Sequence, residues 1–298
     1  MRKGADFVEL AEALFDEVTT NVTTIVDQLV RKGADFVELA EALYQEVTRS
    51  ITTIVDQLVR KGADFAELAE ALFEEVTRSL QVLVTQLVRK GADFVELAEA
   101  LDGETSYGDQ AIINAIDDFT SASLADLVDA LEALGRTALG TIIDMLEAIG
   151  YTDIRELAEA LDDATSVSYR RIAEALDDFT SASFSAIGDA LRFAGASFGT
   201  IVDALDWATN ASVNQIADAI RYAGATFTQV MQALEDELSV NRYDTAAQLD
   251  RLGAGIIDIL EALVDVYNAG FDSLVNVLVS LGVAAADAIA AVNDFLFG

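Results

Sequence analysis

The chain has 298 residues, with 18 basic and 52 acidic side chains and a formal net charge of −34. It contains no His, Cys or Pro, which excludes disulfides, zinc–thiolate sites and any mechanism that needs a histidine base. Such a strong negative charge argues against nucleic acid and anionic membranes as partners and favours basic ones.

One phrase of fourteen residues, VRKGADFVELAEAL, organises the sequence and is found at residues 30–43. It returns unchanged at 88–101, and with one substitution each at 1–14 and 59–72. Copies this similar are typical of recent duplication or of human design, and the sequence leaves both open.

The second half of the phrase predicts a short amphipathic helix. Asp35 is the expected N-cap, and Glu38 completes a capping-box pattern three residues later. From Phe36 to Leu43 the apolar residues follow i, i+3, i+4, i+7, which places them on one helix face. Gly33 stands where a left-handed residue ends the preceding helix.

The same pattern continues along the chain in units of 14 or 15 residues, each ending on an apolar residue. These ends are Leu14, Leu29, Leu43, Leu58, Leu72, Leu87, Leu101, Ile116, Leu131, Leu146, Leu161, Leu176, Leu191, Leu205, Ile220, Leu234, Leu249, Leu263, Leu278 and Val292. A predicted N-cap lies eight residues before each end. The caps are Asp6, Asn21, Asp35, Ser50, Asp64, Ser79, Asp93, Gly108, Ser123, Ala138, Asp153, Ser168, Ser183, Ser197, Ser212, Thr226, Asn241, Gly255, Gly270 and Ala284.

Two successive units form a 29-residue pair of short helices, joined by links of about five or six residues that suit antiparallel neighbours. One such pair cannot bury its apolar face alone, but stacked pairs build a continuous core. The sequence therefore predicts an all-α fold, an α-solenoid of about twenty short antiparallel helices.

Three zones of one continuous solenoid can be distinguished. Residues 1–101 hold the near-identical repeats, residues 102–234 hold divergent repeats of the same period, and residues 235–298 are more apolar. The units 102–116 and 235–249 depart most from the consensus, so we expect bends or looser packing there.

This two-helix stacked repeat resembles the α-solenoid class that includes HEAT and armadillo repeats, across essentially the whole chain. It differs from them in unit length, lacks their Pro and Trp signatures, and matches neither the tetratricopeptide nor the ankyrin motif. The resemblance therefore implies an architecture and no particular function.

An acidic column lies six residues after the caps and is the first candidate site. Its members are Glu12, Asp27, Glu41, Asp56, Glu70, Glu99, Asp129, Asp144, Glu159, Glu174, Asp189, Asp203, Asp218 and Glu261. Stacking would align these carboxylates in ladders, which could bind a cation such as Ca²⁺ or form a solvated face. We favour the solvated face, because the sequence has no EF-hand-type loop.

Tandem acids at 117–118, 162–163 and 177–178 are the second candidate. They would be either a carboxylate pair for acid–base or metal chemistry, or residues at helix ends. We favour helix ends, because neighbours in sequence do not face each other on a helix. Trp207 is the only tryptophan, and we expect it to pack in a linker rather than to stack on a ligand.

Arg–Lys pairs recur at 2–3, 31–32, 60–61 and 89–90. They would form either a basic strip that meets an acidic surface of another copy, or cations that complement the dipole at helix C-termini. We favour the second interpretation.

The two ends of the array carry most of the functional information. The first unit is the internal phrase itself, and Val279–Val283 and Phe295–Phe297 make the other end apolar. Unlike ends of this kind form heterologous, head-to-tail contacts that give filaments or rings. An array cut from a longer one would explain the same features.

We therefore expect a non-enzymatic structural protein that self-associates end to end, into a filament, ring or surface assembly. We expect no catalytic residue, cofactor or metal site. No stretch reaches the roughly 18 apolar residues of a membrane span. The alternatives are a scaffold that binds a peptide or basic protein on a concave face, and a designed repeat protein with no natural function.

Repulsion within the acidic column predicts that stability depends on salt. Two charges about 9.5 Å apart repel by only about 0.4 kcal/mol in water, but many such pairs add up. Sodium chloride or a divalent cation should therefore raise the melting temperature by screening the column. Circular dichroism melts across a salt series measure this effect, and a constant melting temperature would contradict the prediction.

Overall fold

In a computed structural model, residues 6–298 are described and all regular secondary structure among them is helical. Arg2, Lys3 and the start of the first copy of the phrase lie outside the described residues. The chain forms two compact units, Met1–Thr137 and Ala138–Gly298. The division into three zones made from the sequence stays a prediction.

The first unit contains nine helices over its described part. They are α1 (Phe7–Glu17), α2 (Val22–Lys32), α3 (Phe36–Ala42), α4 (Ile51–Arg60), α5 (Phe65–Glu75), α6 (Leu80–Arg89), α7 (Phe94–Glu104), α8 (Asp109–Phe119) and α9 (Leu124–Ala133). Helix α3 continues as one π-helical turn, Leu43–Val47.

The second unit contains eleven helices. They are α10 (Leu139–Ala148), α11 (Ile154–Ala164), α12 (Tyr169–Phe179), α13 (Phe184–Phe193), α14 (Phe198–Ala208), α15 (Val213–Tyr222), α16 (Phe227–Leu238), α17 (Arg242–Arg251), α18 (Ile256–Tyr267), α19 (Phe271–Ser280) and α20 (Ala285–Phe297).

Helices in each unit pack on their sequence neighbours and on the helix two places along the chain. In the first unit α1, α3, α5, α7 and α9 form one layer, and α6 packs on α8 in the other. In the second unit the even-numbered helices from α10 to α20 form one layer, and α11, α13 and α15 pack in the other, as do α17 and α19. This two-layer packing confirms the predicted α-solenoid of short helices.

The N-cap of each of the twenty helices is the residue predicted from the sequence. Asp35 shows why. The Glu38 N–H donates to Asp35 Oδ1 at 2.9 Å, and the Asp35 N–H donates to Glu38 Oε2 at 3.0 Å. This capping box satisfies donors that a helix start leaves without partners.

Two kinds of link reverse the chain. Gly33 ends α2 with φ +96°, a left-handed conformation that suits glycine, and the following Ala34 N–H donates to the Leu29 carbonyl at 3.2 Å. After α3 the link instead uses Thr48, whose N–H donates to the Leu43 carbonyl at 2.8 Å and whose hydroxyl accepts the Ser50 N–H at 3.1 Å.

The predicted length of the links was wrong. The links have three to five residues rather than five or six. The phrase was expected to end its helix at Leu43, but the helical turn continues to Val47. The residues after the phrase carry the helix one turn further before a threonine closes it.

Two apolar columns form the core. The first consists of the predicted unit ends, of which nineteen of twenty are fully buried and only Leu14 is partly exposed. The second lies four residues earlier in each helix, and there only Leu10 is partly exposed. A fully buried leucine contributes roughly 1.5–3 kcal/mol, so these columns are the main source of stability.

The second column has one polar member, Thr245, which is fully buried. Its hydroxyl lies 2.9 Å from the Asn241 carbonyl and 3.2 Å from the Tyr267 hydroxyl, and Tyr267 also donates to the Val240 carbonyl at 2.7 Å. Burial raises the pKa of Tyr267 above its usual value. These bonds satisfy the buried hydroxyl and connect α17 to α18.

Adjacent residues in α4 test the importance of the columns. Leu58 is fully buried, whereas Val59 beside it is 36% exposed. Leu58→Ala should lower the free energy of unfolding by about 2–5 kcal/mol, because it removes buried methyl groups and leaves a cavity. Val59→Ala is the matched control and should cost less than about 1 kcal/mol. Urea denaturation measures both, and equal losses would contradict this view of the core.

Candidate self-association surfaces and inter-repeat ion pairs

The carboxylate of Asp27 in α2 forms ion pairs with two basic side chains of the following repeat. Arg60 Nη2 lies 2.8 Å from Asp27 Oδ1, and Lys61 pairs with the same oxygen. The guanidinium is held in place by Gln57, whose Oε1 accepts the Arg60 Nε–H at 3.0 Å. We call an Asp bonded to the Arg of the helix two places away, with or without the adjacent Lys, an inter-repeat clamp.

The same clamp recurs one repeat later. Arg89 Nη2 lies 2.8 Å from Asp56 Oδ1, and Lys90 bonds that oxygen as well. The three described Arg–Lys pairs, 31–32, 60–61 and 89–90, lie in the last turns of their helices or at their C-caps, as expected. At 60–61 and 89–90 they also join one repeat to the next, which the helix-dipole interpretation did not include.

The second unit uses three clamps of arginine and aspartate between helices two places apart. In one of them Arg251 Nη1 lies 2.9 Å from Asp218 Oδ1, while Arg251 Nη2 donates to the Asn214 carbonyl at 2.9 Å. The three pairs are Arg155–Asp189, Arg170–Asp203 and Arg251–Asp218.

Three of the clamps lower the pKa of their carboxyl group. Hydrogen bonds from Lys61 and then Arg60 lower the pKa of Asp27 from 3.8 to about 2. The corresponding bonds lower the pKa of Asp56 and Asp203. These aspartates are therefore held in their ionised form.

Five of the fourteen residues in the acidic column are clamp aspartates. Glu70 belongs to the remainder, and burial followed by the neighbouring Glu104 and Glu74 raises its pKa. Among residues 6–298 no three carboxylates converge as a metal site would require. The column thus combines clamp aspartates with carboxylates that have like-charged neighbours.

The tandem acids lie in the last turns of α8, α11 and α12, as helix-end residues do. In the pair 162–163, Asp162 Oδ2 lies 2.9 Å from the Tyr169 hydroxyl. In the pair 177–178, burial and then Asp178 raise the pKa of Asp177. The bond from Tyr169 joins the end of α11 to the start of α12.

Trp207 lies in the last turn of α14 and not in a linker, so its predicted position was wrong. Its side chain is 50% exposed. The guanidinium of Arg170, which clamps Asp203, lies 5.8 Å from the centre of the indole ring. Trp207 therefore covers a clamp on the surface.

A cleft of about 380 Å³ opens beside α17, within the unit 235–249 for which we expected looser packing. Val213, Asn241, Asp244 and Gln248 contribute to its lining, together with Ser239. Ser239 ends α16 with φ +53°, a conformation uncommon for residues other than glycine.

Helix α1 presents a core face that lacks a cover among the described residues. Leu10 and Leu14 are partly exposed. Leu39 and Leu43 occupy the same places in α3, where the eight-residue sequence FVELAEAL is identical, and both are fully buried. The difference follows from packing, since α3 lies between α1 and α5 while α1 packs on α3 alone in its layer.

Helix α20 presents an apolar stripe that also lacks a cover among the described residues. At about 100° per residue its exposed apolar side chains fall within one arc of about 140°, and the exposed Asn293 lies in the same arc. Phe297 is 78% exposed, Ile289 44% and Leu296 37%. The exposed Ala286 and Ala290 lie between them on the same stripe.

Arg31 and Lys32 form a basic pair that clamps nothing between residues 6 and 298. Both side chains are exposed, and neither takes part in an ion pair or side-chain hydrogen bond there. The equivalent pairs at 60–61 and 89–90 each reach back to an Asp two helices earlier. The described chain has no helix before α1 and α2 that could supply this Asp.

Comparison of the chain with known protein families and with curated proteins finds no match. The described helices include none with the length and apolar character needed to cross a bilayer. The repeat architecture is therefore established from the chain itself.

The pKa shifts predict maximal stability at mildly acidic pH. Burial and neighbouring carboxylates raise the pKa of Glu70 and Glu75 above 4.5, so stability should rise as pH falls from 7 toward those raised values. The pKa of Asp27 is lowered from 3.8 to about 2. Its contribution is present above its unfolded pKa and is lost as pH falls through its folded one. Urea denaturation near pH 7, 5 and 3 should give the highest midpoint near 5.

A neutral substitution at Asp27 tests how much the clamp contributes to the dependence of stability on pH. Asp27→Asn should flatten the loss of stability at acidic pH, because the lowered pKa is removed. Asp16→Asn is the matched control, since Asp16 is exposed on α1 and belongs to no ion pair among the described residues. An acidic limb of the same steepness in wild type and Asp27→Asn would show that the clamp contributes nothing.

Proposed function

We propose that this chain is a non-enzymatic structural protein that self-associates end to end, with the α20 side of one copy against the α1 side of the next. Repetition of this contact would produce a filament, a ring or a surface assembly. The two surfaces differ, so the contact is heterologous, and a heterologous contact propagates or closes into a ring.

The partly exposed core columns of α1 carry this proposal. Leu10 and Leu14 are the exceptions to two columns that are otherwise buried throughout the described helices. The same sequence in α3 shows what such a face takes as its neighbour, namely another short amphipathic helix of the solenoid. Exposed apolar surface of this kind marks an interaction site.

The stripe on α20 supplies the second surface. It has exposed apolar side chains beside the buried Ala288 and Val292. Small residues alternate with large ones along it, which allows a neighbouring helix to approach closely.

A scaffold for a basic peptide is the second candidate, and one observation favours it. Glu12, Glu41, Glu70 and Glu99 occupy equivalent places in α1, α3, α5 and α7, and none pairs with a described Arg or Lys. A row of lysines or arginines on a partner would neutralise this ladder. The scaffold requires no self-association, so the state of the purified chain separates the two functions.

Sedimentation velocity from about 1 to about 100 μM tests self-association. The mean mass should rise with concentration, and negative-stain images should show linear or closed arrays. Leu14→Glu should weaken association by at least about tenfold, because it places a carboxylate in the apolar joint.

Tyr222→Glu is the matched control. Tyr222 is 64% exposed and lies on α15, away from α1 and α20 in the helix order. The substitution adds the same side chain and should leave association unchanged. A wild-type chain that is monomeric at every concentration, or a Leu14→Glu variant that associates as wild type does, would overturn the proposal.

A further inference from the structure

The basic pair on α2 that has no partner among the described residues suggests an alignment for the proposed joint between copies. This inference rests on the proposed function and identifies the partner residues of the same joint. It starts from the series of Arg–Lys pairs, in which 60–61 and 89–90 clamp an Asp of the preceding repeat. Arg31 and Lys32 have the same place in their repeat but no preceding repeat among the described residues.

The layer order determines which helix of a second copy could fill that place. Helix α18 packs on α20 and α17 packs on α19, so each layer ends in one of the last two helices. Continuing the same order places α1 of the next copy on α19, and α2 of the next copy on α20. Arg31 and Lys32 then face α20.

Aligning the core columns of α2 and α20 shows which residue of α20 lies at the height of Arg31 along the helix axes. Leu29 of α2 and Val292 of α20 are equivalent members of the unit-end column, and both are fully buried. Arg31 follows Leu29 by two residues, and Asp294 follows Val292 by two. In parallel helices of one layer, these two side chains therefore lie at the same height.

The direction of the side chains places Asp294 about 40° around α20 from the position equivalent to Asp27. Asp27 lies on the side of α2 that faces α4, because it bonds Arg60 there. At about 100° per residue, Ala290 is the equivalent position on α20 and belongs to the exposed apolar stripe. Asp294 lies one turn above Ala290, at the border of that stripe. An arginine can span helices packed about 8–10 Å apart, as Arg60 does.

Charge complementarity supports the same contact. Asp287 and Asp294 are the only charged residues of α20, and both are exposed. Neither pairs with any Arg or Lys in the part of the chain that the structure describes. Two copies that each carry −34 repel each other in general, so a basic pair opposite α20 provides a local attraction.

We infer that Arg31 and Lys32 of one copy clamp Asp294 of α20 in a second copy of this chain. The contact has the chemistry of Arg60 and Lys61 on Asp27, but its acceptor lies one turn further along the helix than the position equivalent to Asp27. It fixes the order and register of the joint, and the apolar stripe of α20 lies beside it.

Charge reversal on the full chain tests the inference by sedimentation velocity. Arg31→Glu with Lys32→Glu should weaken association by at least about tenfold, and Asp294→Lys alone should do the same. The variant carrying all three substitutions should recover association, because the charges are exchanged rather than removed. Circular dichroism confirms that each variant is folded.

Arg49→Glu with Arg78→Glu is the control, because it changes the net charge equally on two exposed residues outside the clamp series. It should leave association close to wild type. If the wild type associates but the reversal at 31 and 32 has no greater effect than this control, the inference is wrong and the proposed function stands. The inference is equally wrong if the triple variant fails to recover association. If the wild type is monomeric at every concentration, both fail.

Discussion

The fold depends on one constraint, which is that each helix carries two apolar columns that it cannot cover by itself. Helices of seven to thirteen residues are marginal in isolation. A period of 14 or 15 residues leaves room for one such helix and a short reversal, so the next helix always returns to the same columns. The buried unit ends show that this geometry holds along the described chain. Caps and links maintain this geometry, because they start and end each helix at the residue that keeps the apolar columns aligned.

The clamps add order rather than much stability. Their side chains are partly exposed, Arg60 at 38% and Asp27 at 37%, and pairs of this kind are worth about 0–1 kcal/mol. Their value lies in placement within a chain of charge −34. Each uses an Arg to neutralise an Asp on the helix two places away, at the point where adjacent repeats would otherwise bring acids together.

Much of the fold could be predicted because its determinants are local. A cap such as Asp35 and a unit end such as Leu43 are read from spacing within one helix. The clamps were missed, because they join helices two places apart. A signal did exist, since Asp27 to Arg60, Asp56 to Arg89 and Asp218 to Arg251 are each separated by 33 residues.

The boundary between the two units was also missed, although a signal lies in the glycines. Left-handed glycines follow even-numbered helices at Gly33, Gly62 and Gly91. From Gly195 onward they follow odd-numbered ones. Between these groups the order is irregular, since Gly135 follows α9 and Gly150 follows α10, on either side of the boundary at residue 137. Local spacing specifies each helix, but it does not show that the alternation of links has shifted.

The comparison of α1 with α3 shows that the sequence of a helix alone does not determine how deeply its residues are buried. The two helices share the letters FVELAEAL, yet only α3 buries them completely. Covering Leu10 and Leu14 would recover at most about 3–6 kcal/mol, while association costs an estimated 4–15 kcal/mol or more. The α1 face alone therefore cannot hold two copies together. A stable joint needs the stripe of α20 as well, and an ordering contact that selects one register. Even then the balance is small, so the proposed assembly should respond steeply to concentration and to the charge of a few side chains.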